Sequence, residues 1–460
     1  MDNGKTNPRW LAAQILNQII EKEAFADIAL DKTVRESSLS ALNRAFLTEL
    51  VYGSVKYLRF LDYLLGKFSR RPIQKLEPNL RHFCRLGLFQ IYLLEHIPDP
   101  IAVYETVEAA KRMLHKGSLG YLNGLLRSAV RQKENLDQLL PPPSSADYIG
   151  VRHSHPQWLV DRWITHWGLT ETTELCVANN EVPPLTLRTN TLKVSRADLL
   201  ANLAKAGLEA EAAEITRDGV ILRQGTSIPQ LTPLLQGECQ VQDLGSMLVA
   251  ELLAPEPGEK VLDVCSAPGG KSTHLAQLMK NQGQIIAADI HKNRLQLVEE
   301  NAQRLGVNII ETVVQDASLL FEHTQWQQIF DRVLVDAPCT GLGVLRRRAD
   351  ARWRKKLTDL LELPRLQKAI LAGAAGTVRP GGVLVYSTCS IDSAENHEVV
   401  QWFLEHYPGW QVESYRDQLN LPAEYGVYLG TDEFARSEYL YTYPHREGTD
   451  GFFAVRLRRS

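Results

Sequence analysis

The stretch KVLDVCSAPGGKS, residues 260–272, decides the fold. An apolar run over Lys260–Cys265 predicts a strand, and the helical spacing that resumes at His274–Lys280 predicts a helix. Between them lies a loop of small residues that lets a ligand approach the backbone closely, at a helix N-terminus that favours an anionic group. Asp289 lies twenty residues beyond Gly269. It falls in the next expected strand, Gln284–Ile290, where a carboxylate accepts hydrogen bonds from ribose hydroxyls. A Walker-type phosphate loop, GxxxxGK[ST], does not fit, because Cys265 stands where its first glycine belongs.

The same alternation continues outward from this unit. Strands are expected at Ile309–Gln315, Arg332–Asp336 and Gly382–Ser387, and helices at Lys292–Leu305, Pro364–Val378 and Ala394–His406. Alternation of this kind predicts an α/β, Rossmann-like domain over 241–460, with a mostly parallel sheet covered on both faces. Tyr439–Tyr443 and Gly451–Leu457 predict an antiparallel hairpin at its edge. Asp316 and Asp336 follow the third and fourth strands, so with Asp289 they set three carboxylates along the edge where open sheets bind ligands.

Upstream, residues 1–140 predict an all-α domain, with apolar residues at three- and four-residue spacing in Leu11–Ile15–Ile19 and in Leu80–Phe83–Leu86–Ile91–Leu94. Pro141-Pro142-Pro143-Ser144-Ser145 reads as a linker. The rest of 141–240 predicts a small α+β module: helices at Pro156–Trp167, Thr170–Asn179 and Arg196–Ala206, strands at Leu185–Asn190 and Gly219–Leu222.

The chain has 460 residues and a formal net charge of -3, with a globular share of apolar residues, which excludes a disordered or fibrous chain. The charge is segregated. Residues 1–140 hold 20 Lys+Arg against 15 Asp+Glu, whereas residues 241–460 hold 23 against 28, so an RNA partner is not excluded. No apolar run spans a membrane, and the N-terminus lacks a signal-peptide core. Six scattered cysteines without a CxxC pair argue against disulfides and zinc. A cytoplasmic monomer without a metal is expected.

Two of those cysteines recur in one context. Asp336-Ala337-Pro338-Cys339 follows the fourth strand and Thr388-Cys389-Ser390 the fifth, which puts two thiols on the presumed cofactor edge. A thiolate adding to carbon 6 of cytosine makes carbon 5 nucleophilic enough to take a methyl group, a task suited to a side chain already partly ionised near neutrality. Spacing alone does not rank the two thiols. An exocyclic-amine methyltransferase would instead want Asn/Asp-Pro-Pro-aromatic after the fourth strand. Beside Cys339, Arg346, Arg347, Arg348, Arg352, Arg354, Lys355 and Lys356 make seven cations in eleven residues, and phosphate binding is expected there, with Trp353 stacking on a base or packing.

On Cys265–Lys271, Asp336–Cys339 and Thr388-Cys389-Ser390 followed by Glu395-Asn396, the chain resembles the S-adenosylmethionine-dependent RNA (cytosine-C5) methyltransferases of the Sun/Fmu family. The resemblance spans nearly the whole chain and implies methylation of a cytosine in small-subunit (16S) ribosomal RNA. It implies cofactor binding by Cys265, Ser266, Ala267, Pro268, Gly269, Gly270, Lys271, Asp289, Asp316 and Asp336. It makes Cys389 the nucleophile, has Cys339 assist release of the product, and has Asp336 also hold the base. The front domain is similar to the NusB-type RNA-binding fold, on Asn43–Gly53 and Gly120–Arg127. Two departures concern local RNA contacts: His397 follows Glu395-Asn396 where relatives often carry Glu, and Arg346-Arg347-Arg348-Ala349-Asp350 replaces Arg-His-Pro-Asp. Two other readings remain open: a transfer-RNA cytosine-C5 methyltransferase, and a NusB-like RNA-binding factor with an inactive catalytic domain.

Overall fold

Helical periodicity governs the front of the chain. In the computed structural model, which describes residues 7–223, 231–430 and 435–460, helices occupy Pro8–Glu21, Ala26–Glu36, Ala41–Lys56, Leu58–Phe68, Pro78–Leu93, Asp99–Ala110 and Lys116–Arg131. Their starts follow local capping chemistry: the side chains of Asn7 and Ser40 accept from the backbone N–H groups of Trp10 and Asn43. Leu11, Ile15, Leu47, Leu50, Phe60, Leu86 and Leu126 are buried in one apolar core. Gly53 makes one close approach possible, since a Cβ there would sit 2.0 Å from the Phe89 ring.

This helical unit runs past the expected linker to Asn180, and Arg348–Arg354 belongs to it as well. Arg59 ties the segment beyond the linker to it: its guanidinium lies 3.8 Å from Asp147 in the helix Ala146–Arg152 and donates to the carbonyl of His155 (2.7 Å) and to Gln157 Oε1 (2.6 Å). Gln157–Ala178 is broken at Gly168, whose φ of 79° separates the two helices expected there.

The second unit comprises residues 181–347 and 355–460. Its first sheet holds β1 (Leu185–Thr189), β2 (Ala210–Ala212), β3 (Gly219–Leu222) and β4 (Cys239–Val241), in the order β2-β3-β1-β4 and antiparallel throughout. The larger sheet holds β5 (Lys260–Asp263), β6 (Gln284–Asp289), β7 (Ile310–Val314), β8 (Phe330–Asp336), β9 (Val378–Thr388), β10 (Trp410–Glu413), β11 (Leu440–Thr442) and β12 (Phe452–Arg459). The run β9-β8-β5-β6-β7 is parallel, as the strand–helix alternation predicts.

The expected edge hairpin is not at the edge. β12 lies between β9 and β10, antiparallel to both, and β11 also pairs with it. β10 was not anticipated. It is held against β12 by Glu413, which pairs with Arg456 (2.6 Å) and Arg458. Helices Leu244–Leu253, Gly270–Leu278, Lys292–Leu305, Asp359–Ala375 and His397–His406 accompany the sheet. Among the described residues, no helix is long and apolar enough to cross a membrane.

Candidate functional site

Parallel strands deliver their carboxyl ends to one edge of a sheet, and the loops there carry the site. After β5, residues 264–269 turn into the helix Gly270–Leu278. Gly269 has a φ of 95°, and a Cβ on it would lie 2.9 Å from the backbone of Val298. Glycine is therefore required by conformation and by space. Arg294 donates to the carbonyl of Ala267 (2.7 Å) and Asn301 to that of Pro268 (3.0 Å), so the next helix grips the loop from behind.

Asp289, buried at the end of β6, accepts from the N–H groups of Ala267 (3.3 Å) and His291 (2.9 Å). Asp316, half-buried after β7, accepts from the N–H (2.9 Å) and hydroxyl (2.6 Å) of Ser318. Asp263 is buried beneath the loop; burial pushes its carboxyl up to about 7, against the opposing hydrogen bond from Ser272 Oγ (2.7 Å). Its second oxygen, Oδ1, and the hydroxyl of Ser266 are buried without a hydrogen-bond partner among the described residues.

The thiols follow β8 and β9, two and three strands from β6. In the β8–β9 ladder Asp336 is opposite Ser387, so the cysteines that follow these ends are neighbours although fifty residues separate them. Their sulfurs are 3.3 Å apart and neither is in a disulfide. Lys271 Nζ lies 2.7 Å from Asp336 Oδ2, and Ser387 Oγ donates to Asp336 Oδ1 (3.0 Å). Burial works against the Lys271 ammonium, but Asp336 outweighs it and the pKa is raised, with Cys389 adding to the effect. Cys339 is raised well above the ordinary thiol value, first by its hydrogen bond to Cys389 and then by burial. Lys271 thus places an ammonium near Cys389.

The cation run behaves differently from expectation. Arg346 is buried, pairs with Asp450 (2.7 Å) and donates to the carbonyl of Gly448 (3.0 Å). Arg347 bridges Asp450 (2.5 Å) and Asp243 (2.9 Å). Arg352 is wholly buried, and its guanidinium donates to the carbonyls of Ser154 (3.1 Å) and Asn179 (3.0 Å) and to Asn180 Oδ1 (2.8 Å). Trp353 packs against the helical core and donates to the carbonyl of Val55 (2.7 Å), and Arg354 donates to the carbonyls of Glu23 (2.9 Å) and Ala24. The expected phosphate contacts of Arg346 and Arg352 are corrected accordingly, since both guanidinium groups are buried on protein partners; Arg347, with 29% of its side chain exposed, has its charge met by Asp450 and Asp243. Arg348 and Lys356 are exposed and Lys355 is half-exposed.

Sequence reasoning gave no role to several residues of the site. Asp263 and Ser387 lie on strands and read as ordinary strand positions. Glu395 is fully buried, and its carboxylate accepts from Thr340 and Ser390, the residues that follow the two cysteines, and from Gln367. A glutamate in a polar stretch gives no local sign of burial; its only signal was its place in the motif after Cys389.

Comparison with known proteins follows the same lines. A family model described as "16S rRNA methyltransferase RsmB/F" matches residues 250–458. Models of the NusB family and of an RsmF/B-like ferredoxin-like domain match residues 6–131 and 155–229. A Bacillus subtilis (strain 168) protein named "Probable ribosomal RNA small subunit methyltransferase B" is 39% identical over 99% of this chain and 99% of its own length. The "Ribosomal RNA small subunit methyltransferase B" of Klebsiella pneumoniae subsp. pneumoniae is 36% identical over 98% of each. Among solved structures, that titled "Crystal Structure of PH0851" has a TM-score of 0.79 at 27% identity, covering 98% of this chain and 99% of the other. A methyltransferase homolog from Pyrococcus horikoshii has a TM-score of 0.60 at 31% identity, over 70% of this chain and all of its own. NSun6 from Pyrococcus horikoshii, solved with SFG, has 0.58 at 26%, over 66% and 98%.

Proposed function

The chain belongs to the RsmB/F family of 16S rRNA methyltransferases, and from that premise we propose that it methylates carbon 5 of a cytosine in small-subunit ribosomal RNA through a covalent adduct with Cys389. The observation that carries this reading is the pair of thiols 3.3 Å apart, set at adjacent strand ends beside the Lys271–Asp336 ion pair. Neither a binding module nor an amine methyltransferase has use for such a pair.

S-adenosylmethionine, when bound, supplies an electrophilic methyl group. The residues suit it: the loop Cys265–Lys271 offers a close-approach backbone, the buried Asp263 Oδ1 and Ser266 hydroxyl hold unspent hydrogen-bonding capacity, and Asp289 and Asp316 stand at successive strand ends. The solved relative with SFG supports the same assignment. A cytosine has to leave its stack to reach this edge.

Each residue then has a task. The Cys389 thiolate adds to carbon 6, and the displaced electron pair moves toward carbon 5. Asp336, held by Lys271 and Ser387, grips the ring at nitrogen 3, and a proton kept there favours the addition. Carbon 5 takes the methyl group. Cys339, after passing its own proton to solvent, or a water removes the carbon-5 proton; the ring double bond reforms and the Cys389–carbon 6 bond breaks, returning a thiolate.

Cys389→Ala is expected to abolish methylation, and Cys339→Ala to trap an RNA adduct that survives denaturing gels. An adduct with Cys389→Ala instead reverses the two roles. Bisulfite sequencing of RNA from a strain lacking the protein is expected to lose one small-subunit ribosomal signal; loss of a transfer-RNA signal overturns the substrate.

A further inference from the structure

The paired thiols sit on two different loops, and something must fix their separation. The backbone ladder ends at Asp336 and Ser387, before either cysteine is reached. Beyond it, the backbone N–H of Gly343 donates to the carbonyl of Cys389 (3.0 Å), and one carboxylate gathers donors from both loops. Glu395 Oε1 accepts from the backbone N–H of Thr340 (2.8 Å) and from Gln367 Nε2 (3.1 Å), while Oε2 accepts from the hydroxyls of Thr340 and Ser390. Thr340 follows Cys339 and Ser390 follows Cys389. Gln367 also donates to the carbonyl of Pro338 (3.0 Å), on the other side of Cys339.

We propose that Glu395 is a positioning residue for the thiol pair: its carboxylate ties the residue after each cysteine to the other and so holds Cys339 at the distance from which it acts on a base attached to Cys389. The role of the two thiols rests on the function proposed above; the clamp itself does not.

The chemistry selects a carboxylate here. Four donors converge on two oxygens in a buried place, and a buried carboxylate is tolerable only when its lone pairs are matched in this way. Neutral substitutes lose part of the set. Glutamine keeps the length and one acceptor oxygen but turns an NH2 toward two hydroxyls, which then donate elsewhere. Thr340 Oγ1 and Ser390 Oγ, 3.2 Å apart, are free to bond each other in that case, and nothing then links them to Gln367. Glu395 touches neither the base nor the cofactor loop in this arrangement, so its loss is expected to change the coordination between the thiols and not the binding of S-adenosylmethionine.

Two readouts on Glu395→Gln and Glu395→Ala separate the clamp from the function. The first is closure of the Cys339–Cys389 disulfide by diamide. Two S–H bonds break, one S–S bond forms, and the azo group takes two electrons and two protons to become a hydrazide; mass spectrometry follows the loss of two hydrogens. A disulfide needs the sulfurs at about 2 Å, so the parent, starting at 3.3 Å, is expected to close readily. Loosening one loop against the other is expected to slow closure about tenfold, given the steep dependence of intramolecular reactions on placement. The second readout is the denaturant-resistant RNA adduct, expected to accumulate in both variants as in Cys339→Ala, with an unchanged dissociation constant for S-adenosylmethionine. Closure within twofold of the parent overturns the clamp. Slowed closure without an adduct in any variant, Cys339→Ala included, upholds the clamp and refutes the roles given to the thiols. If both Glu395 variants fail to fold, the double variant Thr340→Val, Ser390→Ala, which removes the two hydroxyls alone, carries the same expectations.

Discussion

Arg346 provides the sharpest contrast between what its neighbourhood in the sequence suggests and what it does. It sits in a run of seven cations beside Cys339, where a phosphate contact is the natural expectation. In the structure its side chain is 4% exposed and its guanidinium faces Asp450 at 2.7 Å, with Asp243 at 3.9 Å. Asp450 is itself 2% exposed. Substituting Arg346 by Ala leaves a buried acidic pair, Asp450 and Asp243, sharing only Arg347, and burial together with Asp243 already raises the Asp450 pKa. Breaking a buried pair by removing one partner costs about 3–5 kcal/mol. For a unit of this size each kcal/mol lowers Tm by roughly 2–4 °C, so a fall of about 6–20 °C is expected. Differential scanning fluorimetry reads the shift, and filter binding at several salt concentrations reads the RNA contact. A phosphate ligand, by contrast, shows almost no change in Tm and lowers the slope of log affinity against log salt by about one. That second pattern, an unchanged Tm with a reduced salt slope, refutes the structural role.

Two further substitutions test the loop between β5 and the helix Gly270–Leu278. Because the folded-state pKa of Asp263 is raised to about 7, its carboxyl binds a proton more tightly in the folded chain than in the unfolded one, and parent stability is expected to fall as pH rises from about 4 to 7. Asp263→Asn removes that loss, so the difference in urea midpoint between variant and parent is expected to move in the variant's favour between pH 5 and pH 8; a constant difference argues against the raised value. Gly269→Ala combines a φ of 95° with a Cβ 2.9 Å from Val298. It is expected to cost about 1–3 kcal/mol and to weaken S-adenosylmethionine binding by calorimetry, whereas full affinity and stability show that the loop has slack.

How much could be read from the chain depended on whether the signal was local. The parallel strands were legible because each is a short apolar run closed by a polar residue and, except after β7, followed by a helical period, a pattern that βαβ packing imposes within about thirty residues. β10 escaped because Trp410–Glu413 is short and only partly buried, and it is held by Arg456 and Arg458, more than forty residues downstream. The position of β12 inside the sheet was hidden for a similar reason. A hairpin signal shows that two strands pair with each other, yet nothing in Phe452–Arg459 names β9 as the other neighbour. The break at Gly168, by contrast, was visible, since glycine interrupts a helical period at the point where the chain takes a positive φ.

The same distinction explains the site. Cys339 and Cys389 stood out because each follows a strand end, and the topology of a parallel sheet turns equal positions on neighbouring strands into neighbours in space. Charge carries no such topological rule. Arg346 and Arg347 look solvated beside further cations, but their counter-charges are Asp243, over a hundred residues before, and Asp450, over a hundred after. Among the described residues Arg352 has no counter-carboxylate: its charge is met by carbonyl and amide oxygens of residues 154, 179 and 180, which leave no trace in composition. A run of like charges therefore marks a nucleic-acid surface only when the fold leaves those charges open to solvent, and in this run Arg348 and Lys356 are exposed and Lys355 half-exposed.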